Sequence, residues 1–266
     1  SKLLLDPWAR RLEAPLQLHP AQFTPGDDTA AHVPRCVVEA PLATCLSHGP
    51  AGPEIIYELH VRGFTAAHPA IPEGIRGTFA GLAHPAAIAH LTGLGITTVE
   101  LMPSAAWCDE RHLPALGLTD YWGYNPIALL APDPRLAPGG MAEVRAAVDA
   151  LHAAGIGVIL DVVLNHTGES DAYGPTLSLR GLGEATWYRF RDGALANDAG
   201  CGNTLALDQP WPFRLALDAL RHWAEQAGLD GFRLDLATTL GRCGPRGAFD
   251  ADAPFLMAMR QDPVLR

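Results

Sequence analysis

The fold is decided by the stretch Gly157-Val-Ile-Leu-Asp-Val-Val-Leu164. If it is a strand, both of its faces are apolar except at Asp161. Such a run is typical of a parallel strand that is buried on both sides of a sheet. Comparable short runs that predict strands lie before and after it, at residues 54–61, 97–102 and 231–236. The chain is therefore expected to contain a sheet of several parallel strands.

Apolar residues spaced three or four positions apart separate these runs and predict helices. Three helical faces result: Ile88, Leu91 and Leu94; Met141, Val144, Val148 and Leu151, ending near Gly155; and Phe213, Leu217, Leu220, Ala224 and Ala227, stopped by Gly228. Strands and helices that alternate in single file predict a parallel α/β fold, either an open doubly wound sheet or a (β/α) barrel. No G-x-G-x-x-G motif follows the first strand, which disfavours a dinucleotide-binding sheet.

Composition and charge exclude several classes of function. A formal net charge of -10 offers no basic surface for nucleic acid or an anionic membrane, and no apolar run has membrane-spanning length. The 5 cysteines are odd in number and widely spaced, which favours a reducing compartment and predicts a cytoplasmic protein. No His, Cys or Asp cluster has the spacing of metal ligands, so neither a metal nor a cofactor is predicted.

Two segments lack the alternating pattern. Residues 1–50 are rich in proline with little periodicity, and we interpret them as an extended lead-in. Residues 165–212 carry scattered glycines, aspartates and aromatic residues, which is typical of a long insertion that is functional or disordered. Since polar residues cluster just before it, we expect a functional insertion.

The polar residues gather at the carboxyl ends of the predicted strands, where barrel enzymes place their chemistry. His60 and Arg62 follow the first strand, and strand alternation sends Arg233 and Asp235 to one face of the fourth. A nearby guanidinium favours the anion of a carboxyl group and orients it, as a nucleophile requires. A purely structural ion pair is the alternative interpretation of an isolated R-x-D motif.

Two further segments could take part in such a site. Asp161-Val-Val-Leu-Asn-His166 places a carboxylate in the buried strand and an imidazole just past its end, where a neutral histidine can donate to a ligand hydroxyl. Asp120-Tyr-Trp-Gly-Tyr-Asn125 clusters aromatic rings that could present flat apolar faces to a sugar. Taken separately, each segment is explained as well by packing or structural hydrogen bonds.

Taken together and in order, these segments resemble the α-amylase superfamily. Residues 161–166 resemble its first conserved region, and residues 231–236 resemble its second, which carries the nucleophile. Four other segments are similar to bacterial glycogen debranching enzymes and isoamylases: Tyr57-Glu-Leu-His-Val-Arg-Gly-Phe-Thr65, Asp120-Tyr-Trp-Gly-Tyr-Asn-Pro126, Pro132-Asp-Pro-Arg135 and Gly200-Cys-Gly-Asn-Thr-Leu205. The resemblance covers nearly the whole chain.

The resemblance implies a (β/α)8 barrel that cleaves α-1,6 branch linkages of glycogen-like glucans by a retaining mechanism. By this resemblance Asp235 is the nucleophile and Arg233 supports it. The substrate-binding residues that it implies are Tyr124, which stacks on the sugar at the cleavage point, Trp122, His166, which holds the sugar, and Asp161, which organises the strand end. The implied ligand is an α-glucan such as glycogen or limit dextrin.

The general acid of the family, a Glu at the end of the next strand, has no counterpart here, because no Glu follows Glu225. We therefore expect residues 51–266 to form only the first four βα units of the barrel, and residues 1–50 to follow a missing N-terminal β-sandwich. The exposed edges of a half barrel predict self-association and little activity in this chain alone. A non-catalytic glucan-binding protein and a branching or trehalose-forming enzyme remain as alternatives.

Overall fold

The computed structural model describes residues 1–46 and 54–265, and the predicted boundary at residue 50 lies outside these ranges. The strands of the described residues are β1 (Ile56–Leu59), β2 (Thr98–Leu101), β3 (Ala105–Trp107), β4 (Pro126–Pro132), β5 (Gly157–Val162), β6 (Phe190–Arg191), β7 (Ala194–Leu195), β8 (Gly231–Leu234), β9 (Arg242–Cys243) and β10 (Ala248–Phe249). The central sheet is parallel, in the order β1-β2-β5-β8. The predicted parallel α/β architecture is thus confirmed.

The helices are α1 (Val61–Thr65), α2 (Phe79–Leu82), α3 (Pro85–Gly93), α4 (Met141–Ala153), α5 (Glu184–Trp187), α6 (Pro210–His222), α7 (Ala237–Leu240) and α8 (Pro254–Gln261). A π-helical segment, Trp223–Ala227, continues α6 and ends at Gly228, whose φ of 75° lies in the left-handed region that glycine adopts without strain. No described helix is long and apolar enough to cross a membrane.

The main core lies between one face of the sheet and the helices. Leu91 of α3, Leu151 of α4 and Leu220 of α6 are fully buried in it beside Leu101 and Leu160 of the sheet. Burial of each such leucine stabilises the fold by roughly 1.5–3 kcal/mol. The opposite face of the sheet is more open.

Several predicted boundaries were wrong. Val61 begins α1 rather than ending the first strand, because the His60 side chain accepts a hydrogen bond from the Gly63 amide and caps the helix. Leu94 is not on a buried face: it follows α3 as its C-cap and is 53% exposed. The third long helix begins at Pro210 rather than at Phe213. Proline is tolerated in the first turn because the N–H that it lacks would have no hydrogen-bond partner within the helix. The insertion that precedes it therefore ends at residue 209.

The antiparallel pair of β3 and β4 was not predicted from the sequence. Its register is irregular, with Ala106 opposite Ala128 and Trp107 opposite Pro126. The loop between these two strands holds the aromatic residues 121–124. This pair therefore positions the aromatic loop beside the central sheet.

The lead-in packs against the domain through apolar side chains. Leu5, Leu12 and Leu16 are buried in a second cluster with Ala128 and Ala131 of β4. Leu12 also forms an isolated antiparallel bridge with Cys36. The first 46 residues consequently pack on the outside of the domain with little regular secondary structure.

Candidate active site

Asp235 lies one residue beyond β8, at the carboxyl edge of the central sheet. Its backbone N–H donates to the carbonyl of Val162 at 3.1 Å, so it continues the parallel ladder with β5. The next residue, Leu236, has a φ of 45° and turns the chain away from the sheet. The Asp235 side chain is 14% exposed, so its carboxylate is largely enclosed by the protein.

The Arg233 guanidinium lies between two carboxylates. Its Nη1 donates to Oδ2 of Asp161 at 2.7 Å and to Oδ1 of Asp235 at 3.1 Å. The predicted sharing of one face by Arg233 and Asp235 is therefore observed. A guanidinium that donates to both carboxylates holds their orientation.

Asp161 is the buried member of this group, with 2% of its surface exposed. Its Oδ2 also accepts a hydrogen bond of 2.6 Å from the Tyr124 hydroxyl. Burial raises the pKa of Asp161, while the hydrogen bonds from Tyr124 and Arg233 oppose this effect. Burial and the bond to Asp161 both raise the pKa of Tyr124, which keeps its hydroxyl protonated as the donor.

Asn165 connects the ends of the two strands. Its Nδ2 donates to the Asp235 backbone carbonyl at 2.9 Å and to Oδ2 of Asp235 at 3.0 Å. Sequence reasoning assigned no role to Asn165, although its position just past a buried parallel strand could have indicated one. Asp235 is thus held by a cation on one oxygen and a neutral amide on the other.

His166 is buried, with 1% of its surface exposed. Its Nε2 donates to the Tyr124 carbonyl at 2.8 Å, and its Nδ1 contacts the Asn165 side-chain amide. Burial lowers the pKa of His166, which favours the neutral ring. The hydrogen bond from Nε2 fixes the position of the Tyr124 backbone, and the sugar contact expected of His166 stays a prediction.

The aromatic loop presents two exposed rings next to Tyr124. Tyr121 is 48% and Trp122 61% exposed, and the Trp122 ring meets that of Tyr124 edge to face at 6.3 Å. Gly123 has a φ of 84°, and a Cβ there would lie 3.0 Å from the Pro103 carbonyl. Only glycine fits this turn easily, so it brings Trp122 and Tyr124 together.

A cleft opens beside Tyr124, and the insertion forms its wall. Arg111 joins its two rims through a paired contact with Asp171, with Nη1–Oδ1 at 2.8 Å and Nη2–Oδ2 at 2.5 Å. The exposed Tyr173 and Cys201 also line it. The insertion is therefore a folded wall of the cleft rather than a disordered loop.

A buried carboxylate, Glu169, holds this wall together and was not singled out by sequence reasoning. It accepts hydrogen bonds from the backbone amides of Leu177, Ser178 and Arg180 and from the Tyr188 hydroxyl. These partners lie 8 to 19 residues away along the chain. Such spacing gives no local pattern that predicts the contacts.

Among residues 1–46 and 54–265, no group of three or more His, Cys, Asp or Glu side chains could hold a metal ion. The site consists of the Asp235 carboxylate, the Arg233 guanidinium between two carboxylates, the Tyr124 hydroxyl and nearby exposed aromatic rings. Carboxylates and aromatic rings of this kind are suited to the recognition and chemistry of sugars.

No family model matches the sequence. The chain is 47% identical over 285 residues to the glycogen debranching enzyme of Serratia proteamaculans (strain 568), a match that covers 100% of this chain and 42% of that relative. The chain therefore spans less than half the length of the curated relatives that it matches.

Solved structures agree with the fold. A pullulanase from Anoxybacillus sp. LM18-11 matches 98% of this chain and 36% of its own, with a TM-score of 0.71 and 24% identity. A pullulanase from Paenibacillus barengoltzii, in complex with maltohexaose and α-cyclodextrin, matches 82% of this chain and 35% of its own, with a TM-score of 0.65 and 26% identity. The predicted resemblance to glycogen debranching enzymes is confirmed by the relative from Serratia proteamaculans.

Proposed function

We propose, from the relatives above, that this chain carries the nucleophile-bearing part of a catalytic domain that hydrolyses α-1,6 branch linkages in glycogen-like glucans. The observation that carries the proposal is the position of Asp235 at the carboxyl edge of the sheet, held by Arg233 and Asn165. An enclosed carboxylate that is fixed by two donors can attack the anomeric carbon of a bound sugar.

The proposed reaction is retaining. Asp235 would form a bond to the anomeric carbon while the glycosidic C–O bond breaks and an acid protonates the leaving oxygen; water would then hydrolyse the glycosyl-enzyme. Tyr124 would stack on the sugar at the cleavage point, and its hydroxyl is already oriented by Asp161. The exposed ring of Trp122 would contact the neighbouring glucose.

We propose that residues 51–266 form the first four βα units of a (β/α)8 barrel. In support, the described sheet has four parallel strands in single file with helices on one face. The open face carries Glu58, Glu100 and Arg233, and burial together with the charge of Glu58 raises the pKa of Glu100. Polar residues on this face are consistent with the interior of a barrel near its active site.

These 266 residues alone are proposed to bind α-glucan without cleaving it. No Glu follows Glu225, and a missing acid costs about 10²- to 10⁴-fold in rate. The second candidate function is glucan binding without catalysis. The exposed rings of Tyr121 and Trp122 support this function as well as they support the hydrolase. We also propose a cytoplasmic location, as the odd number and wide spacing of the cysteines predict.

Calorimetric titration with maltohexaose tests the proposed glucan site in this chain. We expect a saturable binding step that Tyr124→Ala weakens at least about tenfold, since loss of one buried ring removes roughly 1.5–3 kcal/mol. Exposed Tyr173→Ala, at the far wall of the cleft, is the matched control and should weaken binding less. Equal affinities of the wild type and the Tyr124 variant would contradict the proposal.

We also propose that this chain self-associates through the outer edges of its central sheet. Within the described residues β1 and β8 each pair on one side only, and Ile56 on β1 is 49% exposed. Unpaired strand edges next to apolar surface are ready templates for another chain. Sedimentation velocity should show dimers or larger species at micromolar concentration, whereas a monodisperse monomer would count against this proposal.

A further inference from the structure

A groove on the outside of the domain shares no lining residue with the cleft at Tyr124. It consists of two adjoining cavities between the lead-in and α6 with its π-helical continuation. Arg10, Pro41, Leu42, His222 and Gln226 line both cavities. We call these two cavities the lead-in groove.

The lead-in forms one wall of the groove and is fastened to the other. The Leu42 amide donates to Oε1 of Gln226 at 2.6 Å, and the Cys45 amide donates to the Glu225 carbonyl at 3.0 Å. The Trp8 indole N–H donates to Oδ2 of Asp218 at 3.0 Å. These contacts hold the walls of the groove in place without a ligand.

His222 has a polar atom in this region that no protein group satisfies. The residue is 9% exposed, and its Nε2 has no hydrogen-bond partner among the described residues. Burial and the nearby Arg10 lower the pKa of His222 to about 4, so the ring is neutral. A neutral imidazole has one N–H donor and one acceptor nitrogen, and Nε2 can take either role toward a ligand.

Two charged side chains of the groove are also without fixed partners. Within residues 1–46 and 54–265, neither Arg10 nor the Glu225 carboxylate takes part in an ion pair, whereas Arg221 is bound to Asp262. The groove thus presents a cationic donor, an anionic acceptor and a neutral imidazole nitrogen beside the apolar surfaces of Trp8 and Leu42. An anion would be repelled by Glu225.

A ligand with many hydroxyl groups and apolar ring faces fits this combination, because each hydroxyl can both donate and accept. We propose that the lead-in groove is a second α-glucan site, which holds an outer chain of the polymer away from the cleft. The choice of α-glucan rests on the proposed function. When one site holds a branched polymer, the effective concentration of its other chains at the second site rises.

The test is a titration of the full chain, labelled with ¹⁵N at its tryptophan indoles, with maltohexaose. The Trp8 indole signal should shift in a saturable manner in the wild type and equally in Tyr124→Ala, whose change lies in the cleft. In the double variant Arg10→Ala with Glu225→Ala, the dissociation constant obtained from the Trp8 signal should rise at least about tenfold. Arg246→Ala, which removes an exposed arginine that does not line the groove, should leave it unchanged.

The outcomes separate this site from the cleft. If the Trp8 signal does not move, or if its shift disappears in Tyr124→Ala, the groove is not a second site. A Trp8 shift that persists while calorimetry finds no effect of Tyr124→Ala would uphold the groove and contradict the proposed cleft. Inorganic phosphate is the competing probe, and a saturable Trp8 shift with phosphate that blocks the maltohexaose shift would overturn the assignment to a glucan.

Discussion

Loss of Asp235 should lower debranching activity by on the order of 10⁴- to 10⁶-fold once the catalytic domain is complete, which is the range seen when an essential catalytic group is removed. A suitable protein is a chimera in which this chain replaces the matching 42% of the Serratia proteamaculans enzyme. The physical reason is that alanine removes the attacking oxygen, while Arg233 and Asn165 remain without the carboxylate that they orient. Release of linear glucans from phosphorylase-limit glycogen measures the rate.

Two matched variants control this experiment. Asp235→Asn keeps the shape of the side chain but not its charge, and it should lose activity nearly as completely. Asp252→Ala removes a carboxylate whose side chain is 82% exposed, and it should retain activity. A chimera that melts cooperatively and keeps its activity in Asp235→Ala would refute the assignment of the nucleophile.

Glu169→Ala should destabilise the fold by about 3–5 kcal/mol, because three backbone amides and the Tyr188 hydroxyl would lose their buried acceptor. Glu184→Ala is the matched control in the same insertion. The Glu184 side chain is 32% exposed and pairs with Arg180, so about 1 kcal/mol or less is expected.

Urea denaturation followed by circular dichroism measures both variants. Similar midpoints for Glu169→Ala and Glu184→Ala would mean that the buried carboxylate does not hold the cleft wall. A large loss confined to Glu169→Ala would mean that the insertion folds cooperatively with the sheet. In that case the same substitution should also weaken maltohexaose binding at temperatures near its melting point.

The central sheet and its long helices could be predicted because their pattern is local. The apolar run at 157–164 and the spacing of Val144, Val148 and Leu151 follow directly from strand and helix geometry. The pairing of Arg233 with Asp235 could also be predicted, since residues two apart on a strand share a face.

Contacts between distant residues could not be predicted in this way. Asn165 reaches Asp235 across 70 residues, and Tyr124 reaches Asp161 across 37, so no sequence period links them. The hairpin of β3 and β4 was missed because prolines stand at both ends of β4 and its register is irregular. The exposure of Leu94 was missed because a helical period does not show where a helix ends.

The most direct test of the central claim is covalent trapping of the chimera with an α-maltotriosyl fluoride that carries a second fluorine on C5 of the reacting sugar. Fluoride leaves with its bonding electrons without needing a proton, so Asp235 can form the ester even where acid catalysis is weak. Peptide mass spectrometry should then find one added maltotriosyl group on Asp235 and none in Asp235→Asn. An added group on another carboxylate, or the same labelling in Asp235→Asn, would contradict the account.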